Sequence, residues 1–314
     1  MLIVEHTEHF RVEKPCILTI GTFDGVHLGH QKLLERLKEL KHKHKLQTVI
    51  LTFDPHPRRV LFGDKNDLKL ITTTPEKLNL LESYGMDVVV VYPFSKSFSE
   101  ISAEHYIQDL LVAKLNVKHL IIGYDHKFGK NRSGDIQTLR EYAKSNGFEV
   151  EEISARDIDS IAISSSKIRN ALAQGDMALV NKYLGHPYFF TGKVIKGKQL
   201  GRTIGFPTAN IGHIADEKLL PLEGVYFAKA ELGNASYFGM LNIGKNPTTD
   251  SDQLLKPEIN LFNFDKEIYG CNLKINVLNY LRPEIKFAGL EELKQQLAKD
   301  KENCLALIKL HEKH

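Results

Sequence analysis

"GTFDGVHLGHQKLL" occupies residues 21–34, between the apolar run "CILTI" and a helical pattern. It sets three glycines, one aspartate and two histidines at a strand-to-helix joint. In a parallel sheet, the C-terminal end of a strand is where ligands bind. A helix beginning near Leu28 presents free backbone N–H groups and the positive end of its dipole, which suit a phosphate. Gly21, Gly25 and Gly29 let the backbone approach a ligand closely. His27 and His30 are three residues apart and share a face on the first turn. Two imidazoles there can donate hydrogen bonds to a phosphate in its transition state. The same pair fits a structural role, or a metal site, although no third ligand is apparent beside it.

Outward from this joint, the first half alternates strand and helix signals. "QTVILTFD", "MDVVVVYPF", "VKHLIIGYD" and "FEVEEI" read as strands. Between them, "TPEKLNLLESYG", "SAEHYIQDLLVAKLN" and "DIQTLREYAKSNG" read as helices. This order, with strands apolar on both faces, predicts an α/β fold, a doubly wound parallel sheet covered by helices. The second half differs. A helical pattern, "NALAQGDMALVNKYLG", ends at Gly185, and short strands separated by glycine turns follow. They predict an antiparallel domain, closed as a β-barrel or sandwiched, with a terminal helix "LEELKQQLAKDKENCLALIKL". The expected domains are residues 1–185 and 186–314.

Composition narrows the function. The 314 residues are 42% hydrophobic and 26% charged, which is a globular balance. A net charge of +3 is too small to imply nucleic acid. The one dense basic run, "KHKHK" at residues 41–45, reads as a solvated helix C-terminus. Cys16, Cys271 and Cys304 have no CxxC spacing, so neither a disulfide framework nor a zinc knuckle is expected, and a reducing cytoplasm fits. The N-terminus lacks the basic and apolar regions of a signal peptide, and no run is long enough for a spanning helix, so no membrane partner is expected.

A second segment joins the first. "ISSSKIR", residues 163–169, precedes a helical pattern. Ser164, Ser165 and Ser166 can cap that helix, and Arg169 offers a cationic fork for phosphate oxygens. "TFDPHPRRV" (52–60) and "IIGYDHKFGKNRSGD" (121–135) sit at the ends of expected strands. In the second half, "GKVIKGKQLGRTIGFPTANI" (192–211) places Thr208 and Asn210 on one side of an extended backbone. A hydroxyl and an amide carbonyl are hard oxygen donors that suit Mg²⁺. Glu258, in "PEINLFNFDKEIYG", shares a face with Asn260. A carboxylate beside a bound nucleotide could take the proton of an alcohol attacking the γ-phosphate.

Taken together, the histidine and serine motifs resemble the HxGH nucleotidyltransferase superfamily, with Ser166 where threonine is frequent. The resemblance implies a Rossmann-like domain that transfers adenylyl from ATP and releases pyrophosphate, with His27, His30 and Arg169 stabilising charge. The "DPHP" and G-x-D-x-x-F-G segments are similar to those of its flavin-adenylylating branch. That likeness implies nucleotide and FMN contacts from Gly21, Phe23, Asp24, Gly29, Phe53, Pro55, His56, Gly123, Asp125, Phe128 and Gly129. "GRTIGFPTANI", "LNIGKNPT", Glu258 and "LRPEIKF" resemble the riboflavin kinase family, whose fold is a six-stranded barrel with a trailing helix. This second likeness implies ATP and flavin contacts from Gly192, Lys193, Gly197, Gly201, Arg202, Phe206, Pro207 and Arg282. It also implies Mg²⁺ at Thr208 and Asn210, and a general base at Glu258. Asn260 and Asn263 stand where that family commonly has histidine and aspartate. The expected reactions are phosphorylation of riboflavin to FMN and adenylylation of FMN to FAD, with ATP as co-substrate in both. The alternatives are a nucleotidyltransferase for another phosphorylated cofactor precursor and a non-enzymatic flavin or nucleotide sensor.

Overall fold

The apolar runs of the first half are parallel strands in a computed structural model that describes residues 1–5, 10–63, 68–124, 126–153, 163–197, 200–245 and 255–311. The strands are β1 (Leu2–Glu5), β2 (Cys16–Ile20), β3 (Gln47–Phe53), β4 (Val88–Tyr92), β5 (Val117–Gly123) and β6 (Glu149–Ile153). They form one sheet in the order β1-β4-β3-β2-β5-β6, with every pair parallel. All of β2 is buried, as a strand covered on both faces must be. Leu18 and Ile20 face one apolar cluster with Leu110 and Leu111. Ile17 faces the other, with Leu34 and Leu37 of the helix Leu28–His44. β1 is an addition to the sequence reading. It is a four-residue edge strand, too short to show a period, and Leu2 and Ile3 stay exposed.

From β2 the sheet winds one way through β3 and β4, and the other way through β5 and β6. The crevice at the C-terminal ends of β2 and β5 is therefore the topological switch point. Residues 21–27 lead out of that crevice into the helix. At the far end of the same helix His42, Lys43 and Lys45 of the basic run are exposed, whereas Lys41 Nζ pairs with Asp87 Oδ1 at 2.6 Å. The helix Thr74–Ser83 starts with a capping box between Thr73 and Glu76. The helix expected over "SAEHYIQDLLVAKLN" begins at Ala103–His105 and continues with the wider π winding over Tyr106–Lys114.

In the second half, β7 (Tyr188–Ile195), β8 (Ala209–Gly212), β9 (Gly224–Leu232), β10 (Ala235–Lys245), β11 (Leu255–Leu261) and β12 (Asn272–Arg282) close an antiparallel barrel in the order β10-β11-β8-β7-β12-β9. The choice between barrel and sandwich is thus settled as barrel. The terminal helix Leu290–His311 packs Leu297, Cys304, Leu307 and Ile308 against Val225, Phe227 and Met240.

The chain divides into compact units at Met1–Ser164 and Ser165–His314, ahead of the boundary expected after residue 185. The helical pattern before Gly185 is two helices, Ser165–Ala173 and Met177–Leu184. They break at Gly175, whose φ is +72°, and restart where Asp176 caps the Leu179 N–H. Both helices pack with the barrel. Asn181 Nδ2 donates to the Val277 and Leu278 carbonyls at 3.1 Å, and its Oδ1 accepts the Tyr188 N–H at 2.7 Å.

Candidate functional site

In the first unit the histidine motif is built as its sequence suggests. His27 is the N-cap of the helix Leu28–His44, and its Nδ1 accepts the His30 N–H at 3.4 Å. The two rings stack with centroids 3.7 Å apart and 14° between planes. Burial, then the charges of His27 and Lys77, push His30 well below its ordinary pKa, so its resting form is neutral. Its Nδ1 is buried and has no hydrogen-bond partner among the described residues. A ring nitrogen so placed at a helix N-terminus suits a phosphate oxygen.

The loop before it is held by its neighbours. Phe23 and Val26 both have positive φ, +51° and +40°, and both are fully buried. Such backbone costs about 1–3 kcal/mol per residue and persists only where packing enforces it. Phe23 lies against the His30 ring, 4.9 Å between centroids, and so backs the site rather than lining it. Asp24 is buried, and its Oδ1 accepts the Thr72 N–H at 3.0 Å. Thr72 Oγ1 in turn accepts the Gly25 N–H at 2.9 Å. Gly29 is buried within the first helical turn, and Gly21 hydrogen-bonds the Leu51 carbonyl.

Beside this loop, a cleft is lined by Thr22, Asp24, Phe53, Asp54, His56, Thr72 and Lys77. His56 caps the short helix Pro57–Phe62, with Pro55 just before it. Phe53 begins an aromatic row with Phe94 and Phe98, at 5.6 and 6.0 Å. The row continues through Tyr92 and Tyr106 to Phe128. Gly129, with φ +70°, lies so close to Ala103 that a Cβ would sit 2.9 Å from its backbone nitrogen. Gly123 ends β5. Asp125 lies outside the described residues, as do residues 246–248 of the "LNIGKNPT" segment. The serine motif falls at the division between units. Ser164 ends the first, and Ser165, Ser166 and Arg169 lie on the opening helix of the second.

The barrel gathers a separate set of groups. Thr208 Oγ1 donates to Glu258 Oε2 at 3.2 Å, and Asn210 pairs with Glu258 across β8 and β11. Gly197 leaves room for Asn210, since a Cβ there would lie 2.2 Å from its Nδ2. The Thr208 hydroxyl and the Asn210 amide oxygen are hard oxygen donors that fit Mg²⁺ with phosphate oxygens, and the Glu258 carboxylate lies beside them. Among the described residues, no group of three or more His, Cys, Asp or Glu could hold a metal by itself. Gly201 closes the turn to Phe206, whose N–H it accepts at 2.8 Å, and Arg202 is exposed on that turn. Phe206 packs on the barrel core, Pro207 precedes Thr208, and Lys193 is exposed on β7. Gly192 is a packing glycine, because a Cβ there would lie 2.4 Å from Ile211 Cγ2 and 2.9 Å from the Gly212 carbonyl.

Comparison with known proteins decides the family. A model described as FAD synthetase matches residues 9–167, and one described as riboflavin kinase matches residues 184–308. A Haemophilus influenzae protein named bifunctional riboflavin kinase/FMN adenylyltransferase is 42% identical, over 95% of this chain and 96% of its own. A Listeria monocytogenes protein of the same name is 39% identical, over 93% and 92%. The chain belongs to the bifunctional riboflavin kinase/FMN adenylyltransferase family. Its fold also matches a solved Streptococcus pneumoniae structure described as a macrolide-efflux protein, with TM-score 0.88, 28% identity and 96% and 98% coverage. No helix among the described residues of this chain is long and apolar enough to cross a membrane.

For this member of the riboflavin kinase/FMN adenylyltransferase family, the two departures noted in the sequence have structural explanations. Asn260 is buried and donates to the Pro207 carbonyl at 2.6 Å, bracing the segment that carries Thr208. Asn263 adopts φ +53°, a conformation that asparagine tolerates well. Arg282 is engaged by Asp300, with Nε and Nη2 at 3.0 and 2.7 Å from Oδ2. Sequence reasoning missed Asp300, Thr72 and Lys77. No motif marks them, and only the tertiary fold brings each beside a candidate residue.

Proposed function

We propose that each unit handles its own ATP-dependent step. The chain makes FMN from riboflavin and FAD from FMN. The observation that carries the division is that the imidazole pair and the Thr208–Glu258 pair lie in different compact units.

In the barrel, Glu258 takes the proton of the ribityl 5′-hydroxyl as that oxygen attacks the γ-phosphorus. The new O–P bond forms as the bond to the β-phosphate oxygen breaks, leaving FMN and ADP. Thr208 and Asn210 would hold Mg²⁺, which supplies charge neutralisation for the β- and γ-phosphates. Arg282, anchored by Asp300, borders the flavin. Gly197 and Gly201 give the segment over the phosphates room to approach them.

In the first unit, a phosphate oxygen of FMN attacks the α-phosphorus of ATP and pyrophosphate leaves. His27 and His30 donate hydrogen bonds to the transferring and departing groups. Phe53 and Phe128 border the flavin ring, and His56, Gly123, Asp125 and Gly129 shape the pocket around it. A reducing cytoplasmic setting fits the three free cysteines.

Incubation with riboflavin, ATP and Mg²⁺, followed by separation of the flavins, tests this reading. FMN should appear first and FAD second, with pyrophosphate tracking FAD. Binding of flavin without any conversion would contradict it.

A further inference from the structure

Lys77 is only 5% exposed, yet it lies on the helix Thr74–Ser83, where its sequence context suggests a solvated face. Its ammonium reaches the C-terminal ends of β2 and β3. There it donates to Thr52 Oγ1 at 2.8 Å, the Thr22 carbonyl at 3.2 Å and the Phe53 carbonyl at 3.5 Å. Thr22 lies in the loop that leads to Asp24 and the histidine pair, and Thr52 and Phe53 end β3 where the loop to Asp54 and His56 begins.

An ammonium has three protons, and here all three have protein acceptors. Lys77 therefore has none to spare for a phosphate in this arrangement. A buried charge is also costly, whereas an apolar chain of similar length would fill the slot without that cost. The charged groups facing it are the carboxylates of Asp24 and Asp54, and its charge reaches His30, which His27 also influences. Burial lowers the lysine to about 8, offset in part by Asp24 and Asp54, so the ammonium form still prevails at neutral pH.

We propose that Lys77 is a positioning residue for adenylyl transfer: its ammonium locks the histidine loop to the Asp-Pro-His-Pro loop. The inference rests on the assignment of adenylyl transfer to the first unit. Reacting groups displaced by about 1 Å lose on the order of 100-fold in rate, which sets the expected effect of releasing the lock.

The test uses the full chain with Lys77→Met and Thr52→Val. Three quantities are read: adenylylation of supplied FMN, phosphorylation of riboflavin, and the titration of the His30 ring by NMR. Lys77→Met should lower kcat/KM for adenylylation about 100-fold, leave the kinase unchanged and raise the His30 titration midpoint. Thr52→Val keeps the charge but removes the shortest hydrogen bond. It should lower adenylylation about tenfold and leave the His30 midpoint in place. Wild-type adenylylation in Lys77→Met, or an unmoved His30 midpoint, overturns the proposal. If Lys77→Met does not fold, Thr52→Val decides, and wild-type adenylylation in that variant overturns the lock. His30→Ala serves as the control. Retained adenylylation there defeats the site assignment itself, whereas its loss beside an unaffected Lys77→Met defeats only the role of Lys77.

Discussion

The imidazoles of His27 and His30 lie face to face, 3.7 Å between centroids, at the first turn of one helix. Two protonated rings at this separation would repel. The structure avoids this by burying His30 beside the charge of Lys77.

This burial has a pH consequence. The unfolded chain takes up a proton at His30 near 6.5, and the folded chain does so only well below that value. Above 6.5 the contribution to stability is complete. As pH falls below 6.5 the unfolded state binds the extra proton, and stability is lost until the folded pKa is passed. Thermal denaturation of the first unit should therefore show a transition that falls between neutral and mildly acidic pH. The slope should flatten in His30→Gln.

Asp300 is 2% exposed and Arg282 14% exposed in their ion pair. Removing one member of such a pair leaves the other buried and uncompensated, at about 3–5 kcal/mol. Asp300→Ala should destabilise the barrel by that amount in denaturant titration and weaken the kinase, with adenylylation of supplied FMN unchanged. The double variant Arg282→Met/Asp300→Leu should regain stability without regaining flavin affinity.

Two glycines on one segment should fail in different ways. Alanine at Gly197 meets the side chain of Asn210, which can rotate aside, so kinase activity should fall while the melting temperature holds. Alanine at Gly192 meets the Gly212 backbone and Ile211, so the barrel itself should lose about 1–3 kcal/mol. Parallel kinase assays and melting curves separate the two.

The sheet, the barrel and the histidine turn were legible because each depends on local periodicity and caps. Val88–Tyr92 is apolar throughout, and His27 precedes a regular helix. Features created only by tertiary contact were not legible. Lys77 sits in a helix whose sequence gives no sign that it turns inward, and Asp300 meets Arg282 from 18 positions further along the chain. The break at Gly175 was obscured because both flanking segments carry helical spacing. The helix that follows the serine motif pairs with a second helix whose Asn181 side chain bonds β7 and β12, contacts that no local pattern announces.

The most direct test of two independent phosphate-transfer sites is a crossed assay on the full chain, using Glu258→Gln and His30→Ala. Each variant is given riboflavin with Mg-ATP, or FMN with Mg-ATP, and the flavins are separated. Glu258→Gln should lose FMN formation by at least about 100-fold and still convert supplied FMN to FAD. His30→Ala should make FMN at the wild-type rate and accumulate it. Parallel loss of both reactions in either folded variant would contradict the account.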